Sequence, residues 1–158
     1  SDIRTRKLDD LKKRARRGGF SNIRCREWKG KVLPAKKSGF DGVLVDAPCT
    51  CSGTWRRNPD ARWTLEREEI AEFAEKQLAL LSNASHGVRA GGVLVYATCS
   101  MFDAENEGVV QAFLANHENF ALEAFPHPLA EGECPGQHRI WPWDGNCDTM
   151  FVARFRRA

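Results

Sequence analysis

No apolar run in this sequence approaches the ~20 residues that a helix needs to cross a bilayer, so no membrane partner is expected. The first seventeen residues are basic and polar, without the apolar stretch that marks a secretory signal. Internal repeats and low-complexity linkers are missing as well, and residues 1–158 read as a single domain around one core. Metal-ligand clusters are scarce. Zinc sites take paired Cys or His about 2–4 residues apart, and only Cys49-Thr50-Cys51 is tight, so no metal is expected. Six cysteines behind no secretory signal, in a chain of alternating strands and helices, point to free thiols in a reducing compartment, the cytoplasm.

Acidic residues are sparse at the front. Residues 1–40 carry 14 Lys/Arg against four Asp/Glu, a balance of +10, whereas residues 41–158 carry −7. A basic front meets a polyanion such as RNA, or is simply a solvated basic helix.

Along the chain, Ile3, Leu8, Leu11 and Ala15 give residues 4–17 a sparse helical face that Gly18-Gly19 ends. A short strand is expected at 21–26 and a Lys/Gly/Pro loop at 29–39. Gly42-Val43-Leu44-Val45 is an apolar run of the kind found in a buried parallel strand, ending at Asp46-Ala47-Pro48. After an irregular loop at 49–63, Thr64 is placed to cap a long helix whose Glu66, Glu68 and Glu69 suit its positive end. Ile70, Phe73, Ala74, Leu81 and Ala84 face the sheet, and Gly87 and Gly91-Gly92 end the helix and turn the chain. Val93–Ala97 is the next strand. A helix capped by Ser100 or Asp103 runs to about His117, a strand at 119–125 and a long loop at 126–147 follow, and Met150–Phe155 is the last strand. Alternation of this kind is an α/β domain with a mostly parallel sheet.

Ligands of such sheets bind beyond the carboxyl ends of the strands, which singles out Asp46–Cys49 and Thr98–Ser100. Two cysteines and an acid there suit one chemistry. Carbon 5 of cytosine becomes nucleophilic once a thiolate adds to carbon 6; an acid near nitrogen 3 favours that addition, and a further group assists the final elimination. Asp46, Cys49 and Cys99 fill these three roles, and the chemistry alone does not say which cysteine attacks.

Asp46-Ala47-Pro48-Cys49 followed by Gly53 through Trp63 closely resembles the fourth motif of the Sun-type (Fmu-like) RNA cytosine-5 methyltransferases. Tyr96-Ala97-Thr98-Cys99-Ser100, with Glu105-Asn106-Glu107 behind it, resembles their sixth motif, and Asp148–Ala153 their last strand. The likeness covers nearly the whole chain. It implies a Rossmann-like methyltransferase sheet, S-adenosylmethionine as methyl donor and RNA as substrate, ribosomal RNA before transfer RNA. It also implies Cys99 as nucleophile, Cys49 as the residue tied to product release, and Asp46 between donor and base. Asp2 and Ile3 would hold the ribose and adenine, with Asp46 and Pro48 on the cofactor's other side; Pro48, Arg56, Arg57 and Thr98 would meet the RNA.

The chain departs from that pattern at its front, where the family's Gly-rich turn after the first strand has no counterpart. The sheet is therefore expected to lack its N-terminal strands and to leave an edge open to self-association or to pairing with the missing part. Poor cofactor binding by the chain alone is expected too. Lys29 stands where an adenine-binding Asp is common, Thr149 where a Gly is common, and Cys51 is an extra thiol. Two other readings stay open: a non-catalytic RNA-binding remnant, and a cysteine hydrolase, for which none of His86, His117, His127 and His138 has a recognisable partner setting.

Overall fold

A computed structural model describes residues 1–33 and 39–158; residues 34–38 of the expected 29–39 loop lie outside the described residues. The centre of the molecule is a parallel pair. Strand β1 (Phe40–Asp46) runs beside β2 (Val88–Thr98), with Val45 opposite Tyr96 and Asp46 opposite Ala97. Between Phe40 and Gly42 the partner advances from Val88 to Val93. The extra residues bulge out through Gly91, whose φ of 69° suits a residue without a Cβ. The expected Gly91-Gly92 turn is thus a bulge within one long strand.

The last strand, β7 (Met150–Arg157), pairs antiparallel with β2, and its far edge carries β3 (Phe120–Leu122) and β6 (Gln137–Ile140). The main sheet runs β1-β2-β7-β3, with β6 also on β7. Four of its strands share one direction and only β7 is reversed, as the α/β alternation leads one to expect. Two small strands, β4 (Phe125–Pro126) and β5 (Glu133–Cys134), pair with each other. The segment 126–147, expected as loop, is therefore partly strand, because β7 offers it a free edge to satisfy its backbone groups.

Helix α1 (Thr5–Arg17) buries only Leu8 and Ala15. The short α2 (Ala61–Thr64) precedes α3 (Arg67–Ser85), which Thr64 does not cap. Glu66 is the cap, in a reciprocal box with Glu69, and the Thr64 hydroxyl donates to the Ala61 carbonyl instead. Helix α4 (Glu107–Asn116) follows a single 3-10 turn at Asp103–Glu105, and α5 (Pro142–Gly145) is one turn long.

One face of the sheet is covered. Leu94, Tyr96 and Thr98 of β2 stand beside Phe155, Ala153 and Phe151 of β7, all at 1% exposure or less, and α3 and α4 close over them with Leu81, Ala84, Val110 and Phe113. Phe113 lies edge-on to Phe120 and Phe155. The opposite face of β1 is open: Leu44 is 67% exposed. The apolar run at 42–45 is consequently an edge strand buried on one side, rather than a central strand buried on both. No strand forms at 21–26 either. The nearby ladder amounts to one parallel bridge between Asp2 and Glu27, and a strand requires a continuous ladder of partners. Among the described residues no helix is long and apolar enough to cross a membrane.

Candidate active site

The register of β1 on β2 sets the site. With Asp46 opposite Ala97, both chains leave the sheet at the same edge, and the loops that follow bring Cys49 and Cys99 together. Their Sγ atoms are 3.4 Å apart. Cys49 is buried, Cys99 half-buried, and Asp46 and Pro48 are exposed at the rim. Cys51, in the left-handed conformation at φ 56°, turns the chain back so that its exposed thiol lies 4.0 Å from Cys49 Sγ and close to the Cys49 carbonyl.

Beneath the thiols lies a carboxylate that the sequence reading placed in the second of the two motifs without giving it a role. Glu105 is 0% exposed. Its Oε1 accepts from the Thr50 amide at 2.9 Å and from Gln77 Nε2 at 2.8 Å; its Oε2 accepts from Thr50 Oγ1 at 2.7 Å and from Ser100 Oγ. Gln77 also donates to the Pro48 carbonyl at 3.0 Å. Tyr96 donates its hydroxyl to the Glu105 carbonyl, and burial pushes that phenol's pKa up. One acid thus fastens the Cys49 loop and the Cys99 loop to α3 and to the turn before α4. The signal was present in the sequence: an acid two residues past a Ser-Met-Phe-Asp turn, with a polar Gln77 on the helix face that otherwise packs on the sheet.

Thr98 is also 0% exposed, and its hydroxyl donates to Asn106 Oδ1, while Asn106 Nδ2 donates to the Ser100 carbonyl at 2.8 Å. Thr98, expected to meet the RNA, has its side chain bonded inside the protein, where it holds the turn after Cys99. Gly53 sits where a Cβ would come within 2.6 Å of the Thr149 carbonyl and 2.8 Å of the Cys99 carbonyl. Its N–H donates to Cys99 O at 2.8 Å and its carbonyl accepts from Thr149 N at 3.2 Å. Glycine is required there because two other chain segments pass against its backbone.

The two expected RNA-facing arginines lie at the rim and hold the segment before β7. Arg57 Nε donates to Asp148 Oδ2 at 2.7 Å, which keeps that carboxyl below its usual range, and Arg56 donates to Asn146 Oδ1 at 2.9 Å. At the front of the chain Asp2 accepts from the Arg4 amide at 2.8 Å and from its guanidinium at 3.1 Å, and these bonds hold its pKa down to about 2. Ile3 beside it is 62% exposed. Lys29 pairs with Glu27 at 3.3 Å.

The Cys49 thiol is pushed far above the usual thiol range, first by its hydrogen bond to Cys99 and then by burial. Cys51 is raised as well, mainly by burial and next by Cys49. All six cysteines are free. Away from this site, His127 and His138 pack with ring centres 4.4 Å apart beside Cys134, a setting the sequence did not reveal.

Comparison with known proteins gives the family. Residues 1–156 match the family described as 16S rRNA methyltransferase RsmB/F. Ribosomal RNA small subunit methyltransferase B of Thermus thermophilus is 48% identical over 119 residues, 73% of this chain and 29% of that protein. Ribosomal RNA small subunit methyltransferase F of Aeromonas salmonicida is 35% identical over 160 residues, 96% of this chain and 33% of that one. The crystal structure of NSun6 from Pyrococcus horikoshii with SFG superposes with a TM-score of 0.80 at 27% identity, covering 98% of this chain and 40% of its own. The chain therefore spans between about three tenths and two fifths of the length of these relatives, and it belongs to the RsmB/F family of 16S rRNA methyltransferases.

Proposed function

We propose that this chain carries the catalytic half of an enzyme that methylates carbon 5 of cytosine in RNA, ribosomal RNA before transfer RNA. The observation that carries the reading is the 3.4 Å approach of Cys49 and Cys99 at the ends of two parallel strands. Cys49 Sγ touches Cys99 Sγ, and that contact and burial favour its protonated form; the family resemblance gives the attack to Cys99. Cys99 Sγ bonds to carbon 6 of the ring while Asp46, exposed at the rim, supports protonation at nitrogen 3. The electron pair then resides at carbon 5. Once carbon 5 carries its new methyl, a base takes the carbon 5 proton and the bond from Cys99 to carbon 6 breaks. Cys49, in contact with Cys99, assists that departure. The target cytosine leaves its stack to reach these groups, with Pro48, Arg56 and Arg57 along its path.

S-adenosylmethionine, when bound, supplies the electrophilic methyl; a relative solved with its analogue SFG supports that cofactor. The residues present fit part of it. An anionic Asp2 beside an exposed Ile3 suits ribose and adenine, and the exposed Asp46 and Pro48 would face the methyl end. No glycine-rich cradle for the methionine part occurs within residues 1–158, so binding depends on such a turn from outside them. A second reading, an RNA-binding remnant, draws on the +10 balance of residues 1–40.

The test is substitution in a chain that also carries the glycine-rich turn, assayed on ribosomal RNA. Cys99→Ala abolishes transfer and leaves cofactor affinity unchanged; Cys49→Ala accumulates a covalent RNA adduct through Cys99. An adduct in Cys99→Ala instead would reverse the two roles, and full transfer by both variants would end the reading.

A further inference from the structure

Cys51 has no part in the methyl-transfer chemistry, yet its thiol lies beside the two that do. We propose that Cys49, Cys51 and Cys99 form a three-sulfur site for a soft metal ion of the zinc and cadmium class. Tetrahedral coordination at ~2.3 Å sets sulfurs about 3.8 Å apart. Here Cys49 is 3.4 Å from Cys99 and 4.0 Å from Cys51, and all three sulfurs lie within 4.8 Å of one another. The Cys-x-Cys spacing is too short for an ordinary zinc knuckle. The left-handed turn at Cys51 and the arrival of Cys99 from the neighbouring strand supply what the spacing lacks.

The frame is built before the ion arrives. Thr50, between the two ligands of the loop, is pinned to Glu105 through both its amide and its hydroxyl, and such outer contacts orient metal ligands. The buried carboxylate of Glu105 lies below the sulfurs, on the Thr50 that separates two of them. Exposed Cys51 provides the way in for the ion and for a solvent molecule as a further ligand. Binding replaces the thiol protons with the ion and releases them to water.

The cluster of His127, Cys134 and His138 competes for the same description but is less suited. His127 Nδ1 accepts from the Leu129 and Ala130 amides at 3.1 and 2.9 Å. The neutral ring then carries its proton on Nε2, and neither nitrogen has a free lone pair for a metal. An ion on the three sulfurs would also block Cys99; that consequence rests on the proposed methyl transfer, whereas the binding does not.

The experiment is titration of Cd2+ alone into the reduced 158-residue chain at neutral pH, read by the thiolate-to-cadmium charge-transfer band in the ultraviolet. One equivalent per chain is expected. Cys51→Ser and Cys99→Ser each weaken it by about tenfold or more, with unchanged circular dichroism, and His138→Ala leaves it unchanged. Absence of the band, equal affinity in Cys51→Ser, or loss in His138→Ala would each overturn the site. Because neither cofactor nor RNA is present, such a failure leaves the methyl-transfer reading to its own test.

Discussion

The carboxylate of Glu105 accepts a hydrogen bond from the backbone amide of Thr50 at 2.9 Å, across 55 residues of chain. That bond, with those from Gln77 and Ser100, holds the two cysteine loops in one frame. Glu105→Ala leaves the Thr50 amide short of its buried partner and deprives Gln77 of one of two acceptors. The expected cost is about 4 kcal/mol, since each buried donor left unpaired costs roughly 1–3 kcal/mol and bonds to charged groups are the stronger ones. Urea denaturation measures it; a loss below about 1 kcal/mol would mean that water takes over the acceptor role.

Gly53→Ala tests the close approach at the back of the site. The new Cβ meets the Thr149 and Cys99 carbonyls, both backbone atoms that cannot rotate away. A loss of about 1–3 kcal/mol follows from such overpacking, together with faster alkylation of Cys99 as its loop is pushed outward. Wild-type stability and an unchanged alkylation rate would show that the loop shifts freely.

Alkylation by iodoacetamide should rank the three site thiols. Only thiolates react, and a raised pKa lowers the thiolate fraction at any given pH. Cys49, buried and raised furthest, is expected to be the slowest, and its rate to keep climbing up to the highest pH the protein tolerates. Peptide mapping after a timed pulse reads the order; labelling of Cys49 ahead of Cys51 would contradict it.

His138 carries the pH dependence of the segment around β5 and β6. Burial, and then the neighbouring His127, hold its pKa below the ordinary 6.5. The unfolded chain therefore takes up the proton first. Stability is fully present above pH 6.5 and declines as pH falls through the window between the unfolded value and the lower folded one. Thermal melts across that window should show the decline, and His138→Gln should flatten it. An unchanged slope in the variant would assign the titration elsewhere.

Calorimetric titration of S-adenosylmethionine into the folded chain should give no detectable heat of binding, because Asp2, Ile3, Asp46 and Pro48 supply only part of a site. Micromolar binding would show that these residues suffice without a glycine-rich turn.

The sequence by itself determined the alternation of strand and helix, and with it the placing of Asp46, Cys49 and Cys99 at strand ends, because periodicity and apolar runs are local properties of the chain. It did not determine that β1 has one open face or that Thr98 turns inward. Nor did it foretell that Glu66 rather than Thr64 caps α3, where two candidate caps two residues apart compete and the reciprocal bond with Glu69 decides. The meeting of three sulfurs over a buried Glu105 also belongs to the tertiary structure alone. It follows from the register of Asp46 on Ala97 and from bonds spanning some fifty residues, and burying a carboxylate is favourable only once four donors from three segments converge on it.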